Sequence, residues 1–157
     1  QFFTPFELCQ AMAKLQVMPS AEQTAFERGF ITLHDPACGA GAMLIGVARA
    51  LHDAGLNYQQ TMHATCIDVD STAAHMAYIQ LSLLHIPAVV VVGNTLTREI
   101  RERFVTPAHL MGMWDRKLER GYALGSPADE TPMPAPEPLD LNQLEQGDMF
   151  ETGEDAA

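Results

Sequence analysis

The sequence predicts an α/β, Rossmann-like fold, and three observations predict it. The apolar run Phe30-Ile31-Thr32-Leu33 stops at an acid and turns through two glycines, Asp35-Pro36-Ala37-Cys38-Gly39-Ala40-Gly41, into a helical pattern. A second run, Ala64-Thr65-Cys66-Ile67, also stops at acids, Asp68-Val69-Asp70, and also opens a helical pattern. A third, Ala88-Val89-Val90-Val91-Val92, is apolar at every position, as strands buried on both faces of a parallel sheet are. Strands alternating with helices give βαβαβ order.

Taken in order, residues 1–29 read as an N-terminal helical segment. Gln1-Phe2-Phe3 leads to Thr4-Pro5, an N-cap followed by proline at the first helical position. Leu8, Met12 and Leu15 recur on one face, Met18-Pro19 breaks the helix, and Ser20 with Gln23 forms a capping box for a second short one ended by Gly29. Residues 30–96 form the βαβαβ core. Between its first two strands Leu44, Val47, Ala48 and Leu51 fall at i, i+3, i+4 and i+7, the stripe of a helix packed on a sheet, and Gly55 closes it. After the second strand Ala74, Ala77, Tyr78, Leu81 and Leu84 mark another helix, with Asp70 as its N-cap. The third strand ends at Gly93-Asn94-Thr95-Leu96.

Residues 97–121 read as basic C-terminal helices. Ile100 and Phe104 pair at i, i+4, and Thr106-Pro107 caps a helix carrying Leu110, Met111, Trp114 and Leu118. Six of the nine bases lie here: Arg98, Arg101, Arg103, Arg116, Lys117 and Arg120. They read either as a solvated face interleaved with Glu99, Glu102, Asp115 and Glu119, which is the preferred reading, or as a phosphate-contacting strip. Trp114, at helical spacing from Leu110 and Leu118, reads as core. Residues 122–157, with five prolines from Pro127 to Pro138, read as a disordered linker running into an acidic tail.

Charge divides the chain at the same point. Of the net −11, nine acids and no Lys or Arg fall after residue 120, so residues 1–120 hold eleven acids against nine bases, a net −2. Cys9, Cys38 and Cys66 make an odd set with no C-x-x-C pair, which argues for reduced thiols rather than a disulfide framework or zinc knuckle. The histidines form no H-x-x-x-H, and no metal site is expected. With no signal-like start and no long apolar run, the expected location is the cytoplasm, without membrane attachment. The opening at Gln1 rather than Met reads as that of a fragment.

A glycine turn between a parallel strand and a helix aims backbone N–H groups at a cofactor, although G-x-G alone fits equally a turn with no ligand. A dinucleotide fingerprint needs a third glycine where this chain has Leu44, and Asp35 at the mouth would repel a pyrophosphate. S-adenosyl-L-methionine carries an ammonium and a sulfonium, and an adjacent acid suits both. Asp68, ending the strand beside the first, can accept both hydroxyls of an adenosine ribose, as an acid does for NAD. Asn94 can meet an adenine edge or serve its own turn.

Together, Gln1-Phe2-Phe3-Thr4-Pro5, the Asp35-to-Gly41 turn, Asp68 with its Ala-rich helix, and Gly93-Asn94-Thr95-Leu96 resemble the cofactor half of the N6-adenine DNA methyltransferases. The modification subunits of type I restriction systems are the nearest in pattern, over residues 1 to 96. The resemblance implies an S-adenosylmethionine-dependent methyltransferase fold truncated after the third strand. It implies that Phe3, Thr4 and Pro5 close over the methionine end, and that Asp35 and the turn at Ala37, Gly39 and Gly41 hold the amino-acid part. Asp68 would then hold the ribose, and Asn94, where the family usually has an acid, would lie by the adenine.

The family also carries an Asn or Asp, Pro, Pro, Tyr or Phe motif for the flipped adenine, and these 157 residues contain no Pro-Pro. No catalytic residue is therefore assigned. Two readings follow: a DNA adenine methyltransferase whose catalytic motif is supplied elsewhere, or a non-catalytic cofactor-binding or interaction module acting on a restriction-modification complex. Without a strand beyond it, Phe30-Ile31-Thr32-Leu33 becomes an open apolar edge. The stretch after Thr97, a second copy, or a specificity or catalytic subunit is expected to cover it.

Overall fold

The computed structural model describes residues 4–130, with backbone only for residues 16–19. Its centre is one sheet of β1 (Ile31–Asp35), β2 (Met62–Asp68), β3 (Ala88–Asn94) and β4 (Glu99–Val105), in that spatial order. β1, β2 and β3 are parallel, with Asp35 opposite Cys66 and Asp68 opposite Val92, so both acids emerge at the same end of the sheet. Helices α1 (Phe6–Met12), α2 (Met18–Arg28), α3 (Ala42–Asp53) and α5 (Ser71–Leu83) supply most of the covering layers, with a one-turn α4 (Tyr58–Thr61) leading into β2. Leu44, Val47, Ala48 and Leu51 of α3 are buried in the core as their spacing requires, with Met62, Leu81, Ile86 and the inner valines of β3.

The N-terminal helix does not break at Met18-Pro19. A π-helical stretch, Ala13–Val17, joins α1 to α2, so the helical path runs on through the proline, the widened turn standing just before it. The Gln23 side-chain amide donates forward to Glu27 at 2.8 Å, along the helix surface.

The sheet does not end at the third strand. Glu99–Val105 is a strand antiparallel to β3, not the helical stretch its Ile100 and Phe104 suggested. A spacing of four puts two residues on one face of a strand as well as of a helix, and an unpaired β3 edge offers a ladder of backbone partners to whatever follows it. The chain reverses through Asn94, whose Oδ1 accepts from the Leu96 N–H at 2.9 Å. The ladder shifts register between Val92 and Gly93, and a Cβ on Gly93 would run into the Glu99 carbonyl oxygen, so the close approach needs glycine. Phe104 then packs against the Tyr78 and His75 rings of α5. β4 lies beyond β3 and does not pair with β1, which keeps one edge of the described sheet; of the stretch after Thr97, Trp114 reaches the start of that edge, packing on Phe30.

Beyond β4, Thr106 ties two strands' connections together: its hydroxyl accepts from the Ala88 N–H and donates to the Ile86 carbonyl, each at 2.9 Å. The expected single helix divides into α6 (Pro107–Met111) and α7 (Trp114–Arg120) at Met113, which has a left-handed φ of 49°. Trp114 is buried against Phe30, while Leu110 and Met111 are exposed. Ser126–Glu130, expected as linker, is ordered instead: α8 (Pro127–Glu130) packs on α2 and buries Ala128. The acidic tail from residue 131 lies outside the described residues.

Under Trp114 runs a buried polar chain. His63 on β2 lies 2.8 Å from His109 on α6, Nε2 to Nδ1, and His109 Nε2 lies 3.0 Å from an Asp115 carboxylate oxygen. With both rings neutral, His63 donates to His109 and His109 to Asp115, an assignment made from the network. Burial, then the neighbouring His109, pushes His63 down to about 4. An unfolded histidine titrates near 6.5, so between those values the unfolded chain binds the extra proton and stability falls as the pH is lowered. That window is worth about 3 kcal/mol. Thermal unfolding followed by circular dichroism from pH 7.5 to 4 is expected to show the loss, and His63→Gln to flatten the slope.

Candidate functional site

The loop after β1 is built by its own residues. Asp35 Oδ1 accepts from the Ala37 N–H at 3.1 Å, an Asx turn that reverses the chain at Pro36. The Cys38 N–H donates to the Ile67 carbonyl at 2.9 Å, pinning the turn to the end of β2. Gly41, at φ 85°, is the left-handed N-cap of α3, and a Cβ there would sit 3.4 Å from that of Ala77. The Gln80 amide holds the Ala40 carbonyl at 2.9 Å, and the Thr95 hydroxyl holds that of Pro36 at 2.7 Å.

Asp68, 6% exposed, is the keystone. One carboxylate oxygen accepts from the Gly39 N–H at 2.7 Å and the other from the Asp70 N–H at 2.9 Å. A carboxylate has about four acceptor positions, so each oxygen keeps capacity for a ligand. Asp70 caps α5, accepting from the Thr72 N–H at 2.8 Å.

These elements enclose a cavity of about 500 Å³ at the carboxyl ends of β1 and β2, its walls running from Thr4 and Cys9 across Asp35 and the Ala37–Ala40 turn to Met43, Asp68 and Val69. Two carboxylates face it, and no lysine, arginine or histidine is among the residues lining it. Burial and the Asp35 charge both raise the Cys9 thiol, keeping it protonated. A hydrogen bond with Cys38, together with burial, raises the Cys66 thiol on β2. The cavity is therefore electronegative and presents no thiolate nucleophile from these two cysteines.

Of the expected site residues, Thr4, Asp35, Ala37, Gly39 and Asp68 meet at this cavity. Gly41 acts one step back, as the cap of α3, and Pro5 as the residue before α1; neither is among the lining residues. Asn94 also lies off the wall, its side-chain oxygen turned into its own loop toward Leu96 and Thr97. It serves the turn. Phe3 lies outside the described residues. Cys9, Met43 and Val69 line the cavity without having been expected. Cys9 had a signal: it stands one helical turn beyond the Thr4-Pro5 cap, and its thiol lies 3.9 Å from the Thr4 carbonyl.

A family model described as N-6 DNA Methylase matches residues 1–116. No curated protein sequence matches the chain. Among solved structures, a Listeria monocytogenes protein described as a class I S-adenosylmethionine-dependent methyltransferase is similar at 19% identity and a TM-score of 0.43. The alignment covers 74% of this chain and 42% of that one, so this chain spans less than half of that protein's length. No helix among the described residues is long and apolar enough to cross a membrane. On the family match, which takes in well over half its length, the chain belongs to the N-6 DNA methylase family.

Proposed function

We propose that this chain is the S-adenosyl-L-methionine-binding half of a methyltransferase acting on the N6 amino group of adenine in DNA. The observation that carries it is the cavity at the strand ends, faced by Asp35 and Asp68 with no base among its lining residues. Such a site favours a cationic ligand and disfavours a pyrophosphate. The residues fit the cofactor: an acid for its ammonium, the first N–H groups of α3 at Ala42 and Met43, which line the cavity, for its carboxylate, and free lone pairs on Asp68 for a ribose diol. When bound, S-adenosyl-L-methionine supplies an activated methyl group on a sulfonium.

The chain's own contribution is positioning. Asp68 fixes the glycine turn against β2, so the carboxylate that would meet the ribose also sets how the turn leads into α3. Holding both ends of one ligand lets the reacting methyl be presented in a single orientation, the main entropic gain a binding half can supply. Orientation of the adenine amine falls to residues beyond these 157 or to another chain, and the free edge of β1 is where a further strand would extend the sheet. In this reading the chain works in the cytoplasm within a restriction-modification assembly, on DNA, beside a specificity or catalytic subunit or a second copy.

The test is transfer of tritiated methyl from labelled cofactor to an unmethylated adenine-containing duplex, by the full polypeptide or by the chain with a complementing subunit. Label in N6-methyladenine is the expected result. No transfer with any such partner, from preparations that bind the cofactor, overturns the adenine assignment.

A further inference from the structure

A second cavity, of about 490 Å³, opens at the opposite end of the sheet. It lies where β1 and β2 begin, between Gly29, the Gln59-Gln60-Thr61 stretch and α7. Strands of five to seven residues separate it from the cofactor cavity by about 15–20 Å. Three cations, Arg116, Lys117 and Arg120, line it, and no carboxylate is among its lining residues.

The geometry points to a binding site for a phosphate group, held by Lys117 and Arg120 with Arg116 at the rim. Successive turns of α7 put Lys117 and Arg120 on one face, three residues apart. Lys117 is fixed there by the Trp114 ring, its Nζ 4.2 Å from the ring centroid. Burial, then the neighbouring Arg120, lowers the Lys117 pKa, the signature of cations gathered without an anion between them. Arg120 Nε is buried and has no hydrogen-bond partner among the described residues. A guanidinium carries four further N–H donors, and Arg120 is among the residues lining the cavity, so a phosphate oxygen there meets a group whose charge and fork geometry match it. The acids of α7 do not compete: Asp115 is bonded to His109, and Glu119 is exposed and outside the cavity lining.

Trp114, the chain's single tryptophan, lines the cavity and reports on it directly. The experiment is a titration of the full chain with inorganic phosphate at constant ionic strength, balanced with sodium chloride, following tryptophan emission. A saturable change is expected, with the half-saturation concentration raised about tenfold or more by Arg120→Gln. Lys117→Gln is the second variant, and circular dichroism shows which of the two is folded. A change that chloride reproduces, or a saturation point that the folded variants leave unmoved, overturns the proposal. A short DNA duplex distinguishes the source: displacement of phosphate by duplex, weakening steeply with salt, identifies backbone phosphodiesters. Absence of displacement, with phosphate still saturating, identifies a free phosphate or phosphomonoester.

Discussion

Asp68→Ala is expected to abolish S-adenosyl-L-methionine binding and to lower the melting temperature by several degrees. The two effects share one cause. The carboxylate is the acceptor for the Gly39 and Asp70 N–H groups, and it is buried, so its loss leaves donors without a partner at a cost of about 1–3 kcal/mol. The glycine turn is thereby released from the end of β2, and the cavity loses one of its two carboxylates and the acceptor proposed for the ribose together. Asp68→Asn separates the contributions. Its one remaining oxygen can keep the bond to Gly39 while its NH2 then faces the Asp70 N–H, so the fold is expected to recover part of its stability while affinity stays low. Calorimetry for binding and circular dichroism for melting check both; unchanged affinity in Asp68→Ala would refute the ribose assignment.

Trp114→Ala is expected to remove about 3–5 kcal/mol, a large share of the roughly 5–15 kcal/mol that holds a domain of this size. The indole is 1% exposed, packs edge-on to Phe30 at a centroid distance of 5.2 Å and lies against His63 at 5.3 Å. Its deletion opens a void beside a buried histidine pair that depends on dry surroundings, so water entry adds to the loss. Leu110→Ala is the contrast. Leu110 is 64% exposed, and its substitution is expected to change stability by less than about 0.5 kcal/mol. Urea unfolding of the two variants measures both, and equal midpoints would show that α7 is not part of the core.

That pair also shows where the sequence was legible and where it was not. Trp114 was readable as core, because a large aromatic at helical spacing seldom stays in water. Leu110 looked like its partner only if one helix ran from residue 107 to 120, and the left-handed Met113 turns the second half away. The parallel strands, the glycine turn and the Asp70 cap were readable because each rests on local chemistry: a run of valines, two glycines after an acid, an Asp before a helix; the Thr4 cap and the Ser20–Gln23 box were not found, since α1 starts after Pro5 and α2 runs on from a π-helical stretch. β4 was not, since Ile100 and Phe104 satisfy both periods and the deciding factor, the free edge of β3, is a partner far in sequence. Asp68 was readable as an acid ending beside the glycine turn but not as the anchor of that turn, because a bond between residues 39 and 68 exists only once β1 and β2 are paired. Asn94 was ambiguous for a local reason: the amide that could read an adenine edge is the same group that closes a turn.

The central claim, a cofactor cavity built for a cation, is tested most directly by calorimetric titration of the purified chain with S-adenosyl-L-methionine, with NAD in the parallel experiment. The account predicts saturable binding of S-adenosyl-L-methionine and none of NAD, because Asp35 and Asp68 face a ligand with no base to balance them. Binding of NAD alone, or of neither ligand by a chain shown to be folded, would contradict it. In the second case the glycine turn would survive as scaffold in a module that acts by interaction.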